Sequence, residues 1–285
     1  MIVLKDEQGA FNSSIIINDA CERSVGQTHT LLQPSFPSSG RGWTQKLIFL
    51  ATDKSAGAGS VNRTLENMLG YYTYQVTGNP GAATIEWLFT HESDRATEGR
   101  MAQLVKYPSR PLLVFRVVCS ALENVEALYR YMKREGQETG PWDRFAMQNI
   151  QRYKKFHRYW DQRCGYNVPA GAAVDPRSIP CCITVTYEDM QGEVFLRRAL
   201  RKLLQVWLAE SGLTAEQIAR GADSAVDRAP SKHKELLQLY ASGKRYTAAH
   251  HLALISALGL GEDGKLSSVK RKKKKRSGNI ERGNK

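Results

Sequence analysis

Residues 111–119 read PLLVFRVVC, a run of strand length that is apolar at almost every position. A strand that buries one face alternates apolar and polar residues. A continuous run buries both faces and needs a layer of structure above and below its sheet. Residues 46–51 (KLIFLA) are read as a second strand of this kind, and Ile15, Ile16 and Ile17 form a short β-branched run within residues 13–18. Residues 71–77 and 84–90 are further candidates, separated by the turn-forming Gly78-Asn79-Pro80-Gly81. Residues 183–187 alternate Ile, Thr, Val, Thr, Tyr, as a half-buried strand does. Helical patterns fall between these runs, over residues 61–69, 120–135 and 143–162. In the second of them Leu122, Val125, Leu128 and Met132 share one face. Residues 167–180 (NVPAGAAVDPRSIP) read as a long loop. Residues 1–190 are therefore expected to form an α/β or α+β domain.

After residue 190 no strand signal remains. Residues 193–209 place Phe195, Ala199, Leu203 and Val206 along one helical face, with Leu196 and Leu200 adjoining, and Ser211-Gly212 ends the helix. Thr214 and Gln217 have capping-box spacing and predict a short helix over 215–220. Pro230 and Ser231 open a third helix over 232–241, closed by Gly243. Thr247 caps a fourth, which carries Leu252, Ile255 and Leu258 and stops at Gly259. Residues 191–262 thus read as an all-helical, helix-turn-helix-like domain and residues 263–285 as a tail.

The segments ESGLTAEQIA (210–219), SGKR (242–245) and LALISALGL (252–260) resemble the Cro and lambda-repressor type of helix-turn-helix family. The stretch between Ala219 and Ser231 is longer than that family's turn. The resemblance covers about a quarter of the chain, and it implies DNA binding. It makes residues 232–241 the reading helix. Ser231, Lys232, His233 and Lys234 would then face phosphates or base edges, Gln238 would lie one turn on, and Lys244 and Arg245 would grip the backbone.

The tail adds charge. Lys270, Arg271, Lys272, Lys273, Lys274, Lys275 and Arg276 are seven cations in succession. From residue 265 to the end, ten Lys or Arg face one Glu, a net of +9 out of +13 for the chain, which leaves +4 for the rest. Such a segment repels itself and is expected to be disordered in isolation. Its counter-surface is a polyanion, because each neutralised phosphate releases counterions. A second basic element is RYKKFHRYWDQR, residues 152–163. On a helix, Ile150, Tyr153, Phe156 and Trp160 turn inward while Arg152, Lys155 and Arg158 share the outer face. Rings interleaved with cations are also what single-stranded nucleic acid uses.

Other chemistry has less support. Residues 46–71 are read as strand, glycine-bearing loop and helix, similar to the deviant P-loop of plasmid-partition ATPases. Lys54 and Ser60 match its first lysine and last hydroxyl, but Gly59 replaces its second lysine, so no nucleotide hydrolysis is expected. None of the six histidines has metal-ligand spacing, and neither metal nor cofactor is expected. The five cysteines are odd in number and contain no C-x-x-C. That argues against a disulfide framework, so reduced thiols are expected, and Cys181 and Cys182, on opposite faces of any strand, make a poor chelate. No signal-peptide core and no run of membrane-spanning length is present, which predicts a cytoplasmic chain with no membrane partner.

The sequence therefore predicts a nucleic-acid-binding protein that is not an enzyme, a DNA-binding accessory or regulator of a bacterial mobile element. Two alternatives stand beside it. One is an RNA-binding or metal-independent RNA-processing protein of the CRISPR repeat-cleaving type, to whose site His29, Arg23 and Arg41 would contribute. The other is a structural component of a nucleoprotein complex with protein partners.

Overall fold

The computed structural model describes residues 2–4 and 15–228, apart from 40, 57–60, 67–68, 76–83, 167, 169–174, 188–189, 191 and 210. Its elements in chain order are β1 (Ile2–Leu4), β2 (Ile15–Ile17), α1 (Ala20–Arg23), β3 (Thr30–Pro34), α2 (Arg41–Ala56), β4 (Val61–Glu66), β5 (Leu69–Gln75), β6 (Thr84–Thr90), α3 (Arg95–Leu104), β7 (Leu112–Val118), α4 (Ala121–Arg134), α5 (Trp142–Arg163), a single 3₁₀ turn at Pro176–Ser178, β8 (Cys181–Thr186), α6 (Glu193–Trp207) and α7 (Ala215–Arg228).

The strands form one mixed sheet in the order β1-β2-β8-β7-β3-β6-β5-β4. Its centre is parallel: β8 with β7, β7 with β3, and β3 with β6. The antiparallel strands β1, β2, β5 and β4 extend it at both sides. Leu31, Trp87, Leu113, Phe115, Val117 and Ile183 bury one face of this sheet against Leu47, Ile48 and Ala51 of α2, Leu200, Leu203 and Trp207 of α6, and Ala222 and Val226 of α7. The intervening residues face α4 and α5: Arg116 of β7 meets His157 and Asp161 of α5. The doubly buried run at 111–119 has its two covering layers, and the N-terminal region is mixed α/β as expected.

Several local readings are corrected. Residues 46–51 belong to helix α2, not to a strand. Thr44, Leu47, Ile48, Ala51 and Thr52 are its buried positions, and that spacing is helical. Residues 61–66 form strand β4, not a helix, and pair with β5 from Val61↔Tyr74 to Glu66↔Leu69. The glycine-bearing loop thus follows a helix and precedes a strand, the reverse of a P-loop. The Thr214–Gln217 capping box forms, with Gln217 N–H donating to Thr214 Oγ1 at 3.2 Å and Thr214 N–H to Gln217 Oε1 at 2.7 Å. The helix it opens runs on to Arg228, well past residue 220. Its Ile218, Ala222, Ala225 and Val226 join the core of the sheet, so the change of sequence character at residue 190 is not a break in packing.

The thiols are also not free. Cys21 pairs with Cys181 and Cys164 with Cys182, and buried Cys119 takes part in neither disulfide. Adjacent residues of a strand do point to opposite faces, and here each finds a partner on its own side. Among the described residues no helix is long and apolar enough to cross a membrane.

Candidate nucleic-acid interface

Helix α5 owes its position to its inner face. Phe145, Ala146, Asn149, Ile150, Tyr153, Phe156, His157 and Trp160 are buried. At 100° per residue they fall within an arc of about 140°. Tyr153 O–H donates to the Cys119 carbonyl at 2.5 Å, and Trp160 Nε1–H to the Glu92 carbonyl at 3.3 Å. Tyr159 O–H and Arg163 Nε donate to Glu98 of α3 at 2.7 and 2.9 Å. Asn18 Nδ2 donates to the Cys164 carbonyl at 3.0 Å, and the Cys164–Cys182 disulfide fixes the C-terminal end to β8.

Beneath the helix lies a buried charge. Arg116 is 2 % exposed, and its Nη1 donates to Asp161 Oδ1 at 2.8 Å, with Nη2 3.3 Å from His157 Nδ1. Burial first, and the Arg116 charge second, hold the His157 imidazole well below its usual range, so it is neutral and its Nδ1 can accept from the guanidinium. This cluster positions α5.

The outer face has a different character. Arg144, Arg152, Lys155 and Arg158 are exposed, and none forms an ion pair among the described residues. They fall within an arc of about 120° and span about 21 Å along the axis. Arg152 bonds only the neutral Asn149 amide, at 3.2 Å. Several arginines elsewhere are ion-paired: Arg163 with Glu98, Arg197 with Glu193 and Asp227, and Arg201 with Asp223. Lys154, at the edge of the stripe, has its pKa lowered by partial burial and then by the Arg158 charge. Like charges thus crowd one face. Asp94, whose pKa is lowered first by its hydrogen bonds from Thr97, is near enough to Lys155 for the lysine to lower it further, but is not ion-paired to it.

Arg152, Lys155 and Arg158 are outward, as the interleaved pattern predicts. Arg144 belongs to the same stripe but lies about two turns upstream of the basic run 152–163. The stacking part of that expectation is overturned. Tyr153, Phe156 and Trp160 are at most 3 % exposed, and Phe36 packs edge-on against the first two with centroids 5.3 and 5.8 Å away. These rings offer no platform to a base.

Ser231, Lys232, His233, Lys234, Gln238, Lys244, Arg245 and residues 270–276 lie outside the described residues. Of the ribonuclease candidates, His29 is buried with Nε2 2.9 Å from Ser24 Oγ, and Arg23 Nη2 donates to the Pro176 carbonyl at 2.9 Å. His91 Nδ1 lies 2.5 Å from the Ser35 carbonyl. Among the described residues no cluster of His, Cys, Asp or Glu could hold a metal ion. No family model, no curated protein and no solved structure matches the chain.

Proposed function

We propose that this chain binds nucleic acid through its sugar–phosphate backbone, with the outer face of α5 as the contact surface of the folded part and residues 270–276 as a second, sequence-independent one. The observation that carries the reading is the unpaired cationic stripe Arg144, Arg152, Lys155 and Arg158, on a helix fixed from beneath by Arg116, Asp161 and a disulfide. A helix held in place presents these cations together on one face, along which a phosphate backbone can run. Counterion release then favours the complex at low salt. Buried rings favour contact with a duplex backbone over splayed single-strand bases. DNA is the favoured partner, structured RNA the alternative, and the helix-turn-helix-like segment supplies the sequence reading under this proposal.

The test is anisotropy titration of the full chain against duplex DNA and against structured RNA over a range of salt, with RNA integrity followed in parallel without metal. Tighter binding to duplex DNA with a steep salt dependence is expected. Affinity that does not change with salt would sink the proposal. Metal-independent RNA cleavage would move the assignment to the RNA-processing class.

A further inference from the structure

The strand–loop–helix geometry that the sequence suggested at residues 46–71 is absent there, but it occurs one element earlier. Strand β3 ends at Pro34 and helix α2 begins at Arg41. The connection carries Ser35, Phe36, Pro37, Ser38 and Ser39, followed by Gly40 in the sequence. Its place in the sheet is particular. In chain order the parallel strands are β3, β6, β7 and β8, and they lie in the order fourth, third, first, second. The direction of winding reverses between β3 and β7, and the helices that follow these two strands lie on opposite faces. In open α/β sheets, ligands bind at the carboxyl ends of the strands beside such a switch point, with phosphate at the first turn of the following helix.

An independent observation points to a ligand. Gln33 is 1 % exposed, and both its amide nitrogen and its amide oxygen lack a hydrogen-bond partner. The hydroxyls of Ser35 and Ser39, each 2 % exposed, lack one as well. Positions 31, 33 and 35 alternate to the same side, and Leu31 packs in the core with Leu47 and Ile48 of α2. Gln33 and Ser35 are therefore directed toward α2, beyond Leu31 and at its N-terminal end. Buried polar groups are paired in native structures almost without exception, so a cluster of orphans needs an account. The loop is also fixed in place. In the amide orientation that satisfies both ends, Asn124 of α4 donates to the Pro37 carbonyl at 3.0 Å and accepts from Ser39 N–H at 3.1 Å, across the switch point.

We infer that the β3–α2 connection opens to bind a mononucleotide, with its phosphate oxygens on the first-turn amides of α2 and the hydroxyls of Ser35 and Ser39, and with the Gln33 amide pairing a polar edge of the same ligand. The helix terminus supplies partial positive charge, and the three side chains supply donors that the protein itself leaves unused. The site is separate from the outer face of α5 and does not depend on the nucleic-acid reading.

Calorimetry of the full chain with adenosine 5′-monophosphate, inorganic phosphate and adenosine tests it. The monophosphate is expected to bind, phosphate to bind more weakly, and adenosine not to bind. Ser39→Ala should weaken the monophosphate roughly tenfold, as expected for one lost bond to a charged group. Gln33→Leu should raise the ligand-free melting temperature, because it removes orphaned polar atoms, and reduce the ligand-induced shift. The α5 variant Arg152→Glu/Lys155→Glu/Arg158→Glu should bind the monophosphate as wild type does. Three results would each overturn the inference: no binding by the wild type at millimolar ligand, binding undiminished in both Ser39→Ala and Gln33→Leu, or binding lost in the α5 variant alone.

Discussion

Arg116, in the middle of strand β7, and Asp161, near the end of helix α5, form a 2.8 Å ion pair whose arginine is almost wholly buried and whose carboxylate is one-quarter exposed. The two halves of the pair are therefore not equivalent. Asp161→Ala leaves a guanidinium in the core, and removing one partner of a buried pair costs about 3–5 kcal/mol. Arg116→Met leaves a carboxylate that can reach water, and a methionine of fitting shape in its place, so the loss should be smaller. Denaturant unfolding of both variants checks this. Equal losses would mean that the pair acts at the surface, where such pairs contribute about 0–1 kcal/mol.

His157 gives the fold a pH dependence whose sign can be worked out. Its folded-state pKa is depressed below 6.5 by burial and by Arg116. In the unfolded chain it takes up a proton near pH 6.5, so between its folded pKa and 6.5 the unfolded state binds more protons. Stability is full above about pH 6.5 and declines as pH falls through that value toward the folded pKa. His157→Gln should flatten stability against pH in this window. Unfolding midpoints that vary equally steeply in wild type and variant would refute the assignment.

Which parts of this structure the sequence discloses follows from how local their signals are. Helices α4 and α5 and strands β6, β7 and β8 carry their own periodicity and are legible. Strand β3 is not, although it lies at the centre of the sheet: TLLQP has two apolar residues and a proline, and its burial comes from the layers on both sides. Residues 46–51 mislead because a short apolar run fits a buried strand and a buried helix equally; the buried threonines Thr44 and Thr52 decide for the helix. The outer face of α5 is legible from its interleaving. Arg116 stands out as a charge within an apolar run, but its partners lie 41 and 45 residues away. The cysteine pairing is as remote, since Cys21 and Cys181 are 160 residues apart.

The disulfides make a separate prediction. Cys164–Cys182 closes a loop of 18 residues, and Cys21–Cys181 a separation of 160. On a chain-entropy account these are worth about 3 and about 5 kcal/mol respectively. Disulfides persist in oxidising compartments, whereas the cytoplasm keeps thiols reduced. Alkylation of the protein as isolated, without reductant, should therefore label Cys119 at most, and only after unfolding. The reductant-treated protein should unfold at lower denaturant. Full labelling of five thiols in freshly isolated protein would mean that neither disulfide forms.

The charges of α5 and of the C-terminal segment can be told apart by salt. Each duplex phosphate contact contributes about 0.9 to the slope of log K against log salt. Replacing Arg152, Lys155 and Arg158 by Glu removes three cations from the stripe, so the slope should fall by about 3 and affinity should drop for every duplex sequence alike. Truncation at Lys265 removes the seven-cation run and should lower the slope by about 3–6, since not every cation meets a phosphate. Lys232→Ala/Lys234→Ala/Gln238→Ala should instead weaken binding to the preferred sequence more than to others, because base edges and not phosphates carry that information. Anisotropy titrations of the three variants at several salt concentrations separate the contributions. A stripe variant with the wild-type slope would remove α5 from the interface, and a truncated chain with unchanged slope would remove the tail.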